Sequence, residues 1–157
     1  MSLRLAILAT LLLVTADHPL DGRLGDLAYD AGRWRAEGGP ARFTFTCVGR
    51  KCETEEEENF SAEIEQGGHC TTAEGRPKIR LPSAFRDSRS SVIRRGELEI
   101  IVTTGWSGCR NARPPSIVAC TTYKGRTYHL TQLVAGCGGG PGFSGGLEQF
   151  LTEVEGR

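Results

Sequence analysis

The chain has 157 residues, among them 21 glycines and six cysteines, and its 19 basic side chains are balanced by 19 acidic ones. That length fits one domain, and the absence of net charge removes a histone-like polycation from consideration. A polytopic membrane protein and a large multidomain enzyme are excluded with it.

Residues 1–16 read as a secretory signal peptide. Met1–Arg4 is a short charged start, Leu5–Val14 an apolar run too short to span a bilayer, and Val14-Thr15-Ala16 a small-residue cleavage site, so the mature chain is expected to begin at Asp17. No cysteine stands at that point, so no lipid anchor is expected there. Sixteen arginines against three lysines, with Asn59 and Asn111 as the two asparagines, match the usage of a GC-rich bacterial genome. The expected destination is the periplasm or the extracellular medium.

Leu, Ile, Val and Phe supply 27 of the 141 residues after position 16. A core that thin benefits from covalent closure. The six cysteines, Cys47, Cys52, Cys70, Cys109, Cys120 and Cys137, all follow the leader, and an even count in an exported chain reads as three disulfides. A two-residue turn at Gly49-Arg50 sets Cys47 opposite Cys52, which predicts that pair. The shortest remaining loop then joins Cys109 to Cys120 and leaves Cys70 for Cys137.

Along the chain, residues 17–40 are expected to form an irregular lead-in with at most a short strand about Trp34, and residues 41–157 a single domain. Phe43, Phe45 and Cys47 alternate with polar neighbours, as a half-buried strand requires, and Phe60, Ala62 and Ile64 repeat the pattern. Lys78–Leu81 reads as a third short strand. Ser83 is placed to cap a helix reaching Arg95, with Phe85, Val92 and Ile93 on one face and Gly96 as its stop. Glu97–Thr104 carries the strongest strand signal and is expected to be central. Two β-rich runs about Lys124-Gly125 predict a tight hairpin that puts Cys120 opposite His129. Leu147, Phe150, Leu151 and Val154 share one helical face near the end. The sum is an α+β class: a small disulfide-stabilised antiparallel β-sheet domain with one or two short helices. An echo, CTTAEGR at Cys70–Arg76 and CTTYKGR at Cys120–Arg126, matches at five of seven positions and reads as two turns.

No motif defines a reaction. GFSGG around Ser144 has the spacing of a nucleophile elbow, but no histidine follows His129 and glycines replace the strand that should lead in. GPGFSG at Gly140–Gly145 has dinucleotide-loop spacing, yet the chain ends too soon for the second strand. Neither a metal nor a cofactor is implied. The acid-base candidates are His129 and His69 as bases, with Glu97 or Glu99 opposite.

Charge distribution points outward. Residues 53–65 hold seven carboxylates, four of them consecutive at Glu55–Glu58, and no base, whereas residues 76–126 hold eleven bases and three acids. These regions either face one another or leave a basic surface of Arg76, Arg80, Arg86, Arg89, Arg94, Arg95, Arg110 and Arg113. Such a surface suits an anionic polymer, a lipid surface or an acidic protein partner. The function expected is a non-enzymatic binding or inhibitor module. The alternatives are a small secreted nuclease-like hydrolase using His129, and an envelope structural protein.

Overall fold

The computed structural model describes residues 22–48, 59–83, 85–106, 115–134 and 145–157. Expectations resting on the signal peptide, on Cys52, Cys109 and Cys137, on Arg110 and Arg113, on Glu55–Glu58 and on the glycine-rich stretch around Ser144 lie outside those residues.

Among the described residues there are ten strands and one α-helix. A seven-stranded antiparallel sheet holds β3 (Trp34–Gly38), β4 (Arg42–Cys47), β5 (Phe60–Gln66), β6 (Arg86–Arg95), β7 (Leu98–Trp106), β8 (Ser116–Tyr123) and β9 (Arg126–Gln132) in the order β3-β4-β5-β9-β8-β7-β6. A small sheet pairs β2 (Leu27–Ala28) with β1 (Arg23–Leu24) on one side and β10 (Glu155–Gly156) on the other. The helix α1 (Gly146–Glu153) precedes β10. The α+β expectation is therefore corrected: the fold is mostly antiparallel β in two sheets, with one short helix among the described residues.

Alternation decides which side chains meet the core. Trp34, Phe43, Phe45, Phe60, Ala62, Ile100, Val102, Ile117, Ala119, Tyr128 and Leu130 point from one face of the large sheet against Leu24, Leu27 and Tyr29 and against Leu147, Phe150, Leu151 and Val154. Phe45 and Phe60 are cross-strand partners and their rings stack at 4.8 Å. Phe150 of α1 sits 4.9 Å from Phe60 and 5.2 Å from Phe45. The helix has Gly145 at its N-cap and no side-chain cap of its own; instead the buried Gln132 Oε1 of β9 accepts from the Leu147 amide at 3.0 Å. One orphan donor of the first turn is thereby satisfied from the sheet.

The opposite face is partly covered. Residues 68–83 cross it as a strap tied by a Cys70–Cys120 disulfide, and the half-buried Ile79 packs on the cluster of Cys70, Ile101 and Cys120. This second cover explains why Ser116–Thr121 of β8 are buried residue after residue, and a strand covered on both faces reads as an unbroken apolar run. The strap enters β6 through Phe85, which approaches β7 at Gly105; a Cβ on Gly105 would lie 2.5 Å from the Phe85 ring and 2.8 Å from the Arg86 carbonyl oxygen.

Several expectations are revised. The expected helix reaching Arg95 is not formed: Arg86–Arg95 is β6, an edge strand of the sheet. Lys78–Leu81 is not a strand but part of the strap, held by the Lys78 amide donating to the Cys70 carbonyl at 2.6 Å. The strand expected over Glu97–Thr104 is β7, Leu98–Trp106, one strand in from the edge, and the central position belongs to β9. Residues 22–38 of the expected lead-in hold three strands and contribute Leu24, Leu27, Tyr29 and Trp34 to the core. The Cys70–Cys120 bond replaces both expected pairs, Cys109 with Cys120 and Cys70 with Cys137. Cys47 is also oxidised into a disulfide.

Two turns close as their sequences require. Tyr123 pairs with Arg126 across Lys124 and Gly125, at φ 46° and 76°, the two positive angles of a type I′ hairpin. The echo at Cys70–Arg76 is a turn as well: the Gly75 amide donates to the Thr72 carbonyl at 2.9 Å and the Thr72 amide to Arg76 at 2.8 Å. There the Thr72 hydroxyl beside Glu74 holds that exposed carboxyl below its ordinary value.

Tyr128 anchors the small sheet to the large one. Its hydroxyl, beneath the β1–β2 turn, accepts from the Asp26 amide at 2.9 Å. Burial raises the Tyr128 phenol above its ordinary value, with the Asp26 amide opposing. The folded chain thus keeps the phenol neutral where the unfolded chain ionises it. Stability from this group is complete below a pH of about 10 and is lost as pH rises through the folded-state value. Tyr128→Phe is expected to flatten that alkaline loss, and to cost about 1 kcal/mol at neutral pH by leaving the Asp26 amide without its acceptor. Urea melts of both proteins across neutral and alkaline pH check this; identical alkaline slopes contradict it.

Candidate functional site

The face turned away from the core carries the polar half of each alternation. Strand register fixes one row across it: Arg42 lies opposite Glu63, Glu63 opposite His129, His129 opposite Cys120, and Cys120 opposite Ile101. His129 Nε2 is 3.5 Å from Glu65 Oε2, and Arg42 is ion-paired with Glu63. A cleft of about 470 Å³ opens there, lined by Pro40, Arg42, Glu63, Glu65, Arg80 and His129. A smaller hollow of about 180 Å³ shares Glu63, Arg80 and His129 and adds Ser61, Val118 and Thr131. Arg80 reaches this point because the strap carries it over the sheet. It is exposed and has no ion pair or hydrogen bond among the described residues.

A histidine against a carboxylate is an acid-base pair in kind, and an arginine beside it offers a fixed positive charge. Among the described residues no activated nucleophile completes the group: the Ser61 hydroxyl donates to the Thr131 carbonyl at 3.4 Å, and Cys120 is consumed by its disulfide.

The sequence-predicted residues separate. His129 meets a carboxylate, but the partners are Glu63 and Glu65 rather than Glu97 or Glu99. Glu97 lies in the β6–β7 turn and accepts from the Tyr123 hydroxyl at 3.2 Å, while Glu99 faces Arg94 at 3.4 Å. Contact with Glu97 adds to desolvation in raising the Tyr123 phenol. His69 is exposed and lines neither cleft. Glu63 and Glu65 were legible as the polar phase of FSAEIE, but only the β5–β9 pairing shows which histidine they face.

The arginine surface also divides. Arg80 joins the cleft and Arg76 lies exposed in the small turn of the strap, whereas Arg86, Arg89, Arg94 and Arg95 belong to β6. Arg86 turns back on the chain, donating to the Ser83 and Phe85 carbonyls at 2.6 and 3.1 Å. Between Arg86 and Arg89 the register slips by one residue at a bulge where Asp87 takes φ 49°. An open hollow of about 650 Å³ lies beside that bulge, lined by Asp87, Arg89, Thr104, Gly105 and Trp106 among others. Among the described residues the acid and base segments meet at Arg80, which lines the cleft with Glu63 and Glu65, yet the β6 arginines stay apart from those carboxylates.

Among the described residues no helix is long and apolar enough to cross a membrane. Comparison of the chain with protein-family models, with curated proteins and with solved structures found no match.

Proposed function

We propose that the protein is an exported, non-enzymatic binding or inhibitor module whose binding surface is the arginine-bearing side of the large sheet around β6. The observation that carries this reading is the charge left uncompensated on that strand. The side chains of Arg89 and Arg95 make no ion pair or hydrogen bond among the described residues, and that of Arg94 meets the exposed Glu99 at 3.4 Å. A surface pair of that kind contributes little and yields readily to a better partner. The guanidinium fork suits carboxylates, which favours an acidic protein partner. The Cys70–Cys120 bond is in keeping with an oxidising compartment. Retention on immobilised polyglutamate tests the reading. The oxidised chain is expected to bind at low salt and elute as salt screens the contact, and an Arg89→Glu, Arg94→Glu, Arg95→Glu variant is expected to pass through. Passage of the unaltered chain at low salt overturns the reading.

A second reading, a small nuclease-like hydrolase, is favoured by the 3.5 Å approach of His129 to Glu65 beside Arg80. RNA turnover separates the two. Cleavage that His129→Ala abolishes supports the hydrolase and removes the binding module; RNA left intact by the unaltered chain removes the hydrolase.

A further inference from the structure

The two edges of the large sheet differ. At one end β3 is five residues long and runs into Gly39-Pro40; at the other, β6 is ten residues long, the longest strand among the described residues, and among those residues pairs with β7 alone. An edge strand presents unpaired amides and carbonyls along its free side, which makes it a template for another extended chain. The Asp87 bulge interrupts the first part of β6, so the regular edge runs from Arg89 to Arg95, where every residue pairs in register with β7.

Side chains along that segment set what it accepts. Register puts Arg89, Ser91, Ile93 and Arg95 in phase with the core side of β7, and Ser90, Val92 and Arg94 in phase with the other face. Basic groups therefore stand near both ends, about 20 Å apart at the rise of a strand, with Val92 and Ile93 between them. Val92 is 53% exposed, one of the few large apolar side chains so open among the described residues. A second copy of β6 is a poor occupant, because pairing this strand with itself crowds arginines against arginines, and like charges directly opposite destabilise a sheet. An extended segment with carboxylates toward its ends and β-branched residues at its middle meets every demand at once. The arginines then do two things, repelling a like edge and selecting an unlike one.

We infer that β6 is a strand-addition site: an acidic, extended polypeptide segment joins the sheet along Arg89–Arg95 as an eighth strand. Its main-chain hydrogen bonds hold it, while its carboxylates meet Arg89, Arg94 and Arg95. The inference rests on the binding-module reading and names the partner chemistry of the same surface.

The probe is a synthetic peptide of about nine residues with a central Val-Val pair flanked by glutamates and threonines, long enough to cover the segment. It is compared with two versions N-methylated at alternate residues in the two possible phases, which keep all charge but remove one set of amide donors. Titrated with the full oxidised chain, the parent peptide is expected to bind. Methylation in one phase is expected to weaken binding about tenfold or more, and methylation in the other phase much less. Amide exchange is expected to slow at β6 on binding, and the Arg89→Glu, Arg94→Glu, Arg95→Glu variant, with its sheet confirmed by the exchange of β7–β9, is expected to lose the peptide. Equal binding of all three peptides, protection elsewhere than β6, or self-association of the chain through β6 overturns the inference. Polyglutamate retention distinguishes the failures: retained protein with no effect of methylation leaves the binding module standing without strand addition, whereas protein that is not retained removes both.

Discussion

Replacing Cys70 and Cys120 together by alanine is expected to lower the unfolding free energy by about 4 kcal/mol, read as a fall in the urea midpoint with little change in slope. The bond closes a sequence separation of 50 residues, and the chain-entropy relation gives about that value for a ring of this size. Alanine is the suitable replacement because Cys120 is fully buried and Cys70 nearly so, which leaves no stranded hydroxyl. The effect is also local. Without the bond, the strap is held among the described residues by Ile79, by the backbone hydrogen bonds of its small turn and by the Arg86 side chain on the Ser83 carbonyl. Amide exchange at Thr72, Gly75 and Lys78 is therefore expected to quicken ahead of the core strands. A loss below about 1 kcal/mol, within the range of an ordinary point substitution, shows that the strap docks without its covalent tie.

The second large effect is expected at Phe150. Its ring lies within 6.0 Å of Tyr29, Trp34, Phe45 and Phe60, and it is fully buried. Phe150→Ala is expected to cost about 3–5 kcal/mol, the range for removing a large aromatic from a packed core. Eight residues are too few for an isolated helix to persist in water, so α1 depends on this ring for its place. Two polar ties should fail with it: Gln132 to the Leu147 amide, and the Arg33 and Trp34 contacts to Glu153. Far-ultraviolet dichroism and thermal melts check the result. A variant that melts within a few degrees of the parent contradicts the assignment of Phe150 as the keystone.

Sequence pattern revealed the parts whose two faces see different surroundings. β4 and β5 alternate cleanly because one face meets the aromatic cluster and the other meets solvent, and the β8–β9 hairpin was legible from Lys124-Gly125 down to the facing of Cys120 and His129. β6 failed for the opposite reason. Most of its residues are exposed, so no face imposed a period of two, and Phe85, Val92 and Ile93 fell by chance at helical spacing behind a serine. Polar, arginine-rich edges are built to look unlike strands. Lys78–Leu81 misled because, of those four residues, Ile79 alone turns inward. Cys70 and Cys120 were misassigned by preferring the short Cys109–Cys120 loop, whereas Cys120 points to the outer face, where the strap brings Cys70 to it. The candidate cleft was half legible. His129 stood out, but its carboxylates depended on β5 lying beside β9, a neighbour relation that chain order conceals.

That neighbour relation has a kinetic consequence. β3-β4-β5 and β6-β7-β8-β9 are two meanders, each closed by contacts between consecutive strands, and they are joined through one seam in which Gln66 meets Arg126 and Ser61 meets Thr131. Closing that seam costs more chain entropy than any hairpin, since its partners are separated by the whole of the second meander's first three strands. Until it zips, Ala62 and Leu130 face water and two raw borders stay open to strangers. Newly made protein is most prone to clump in that interval, and oxidation of Cys70 to Cys120, one strand away from the seam, shortens it by holding the halves within reach.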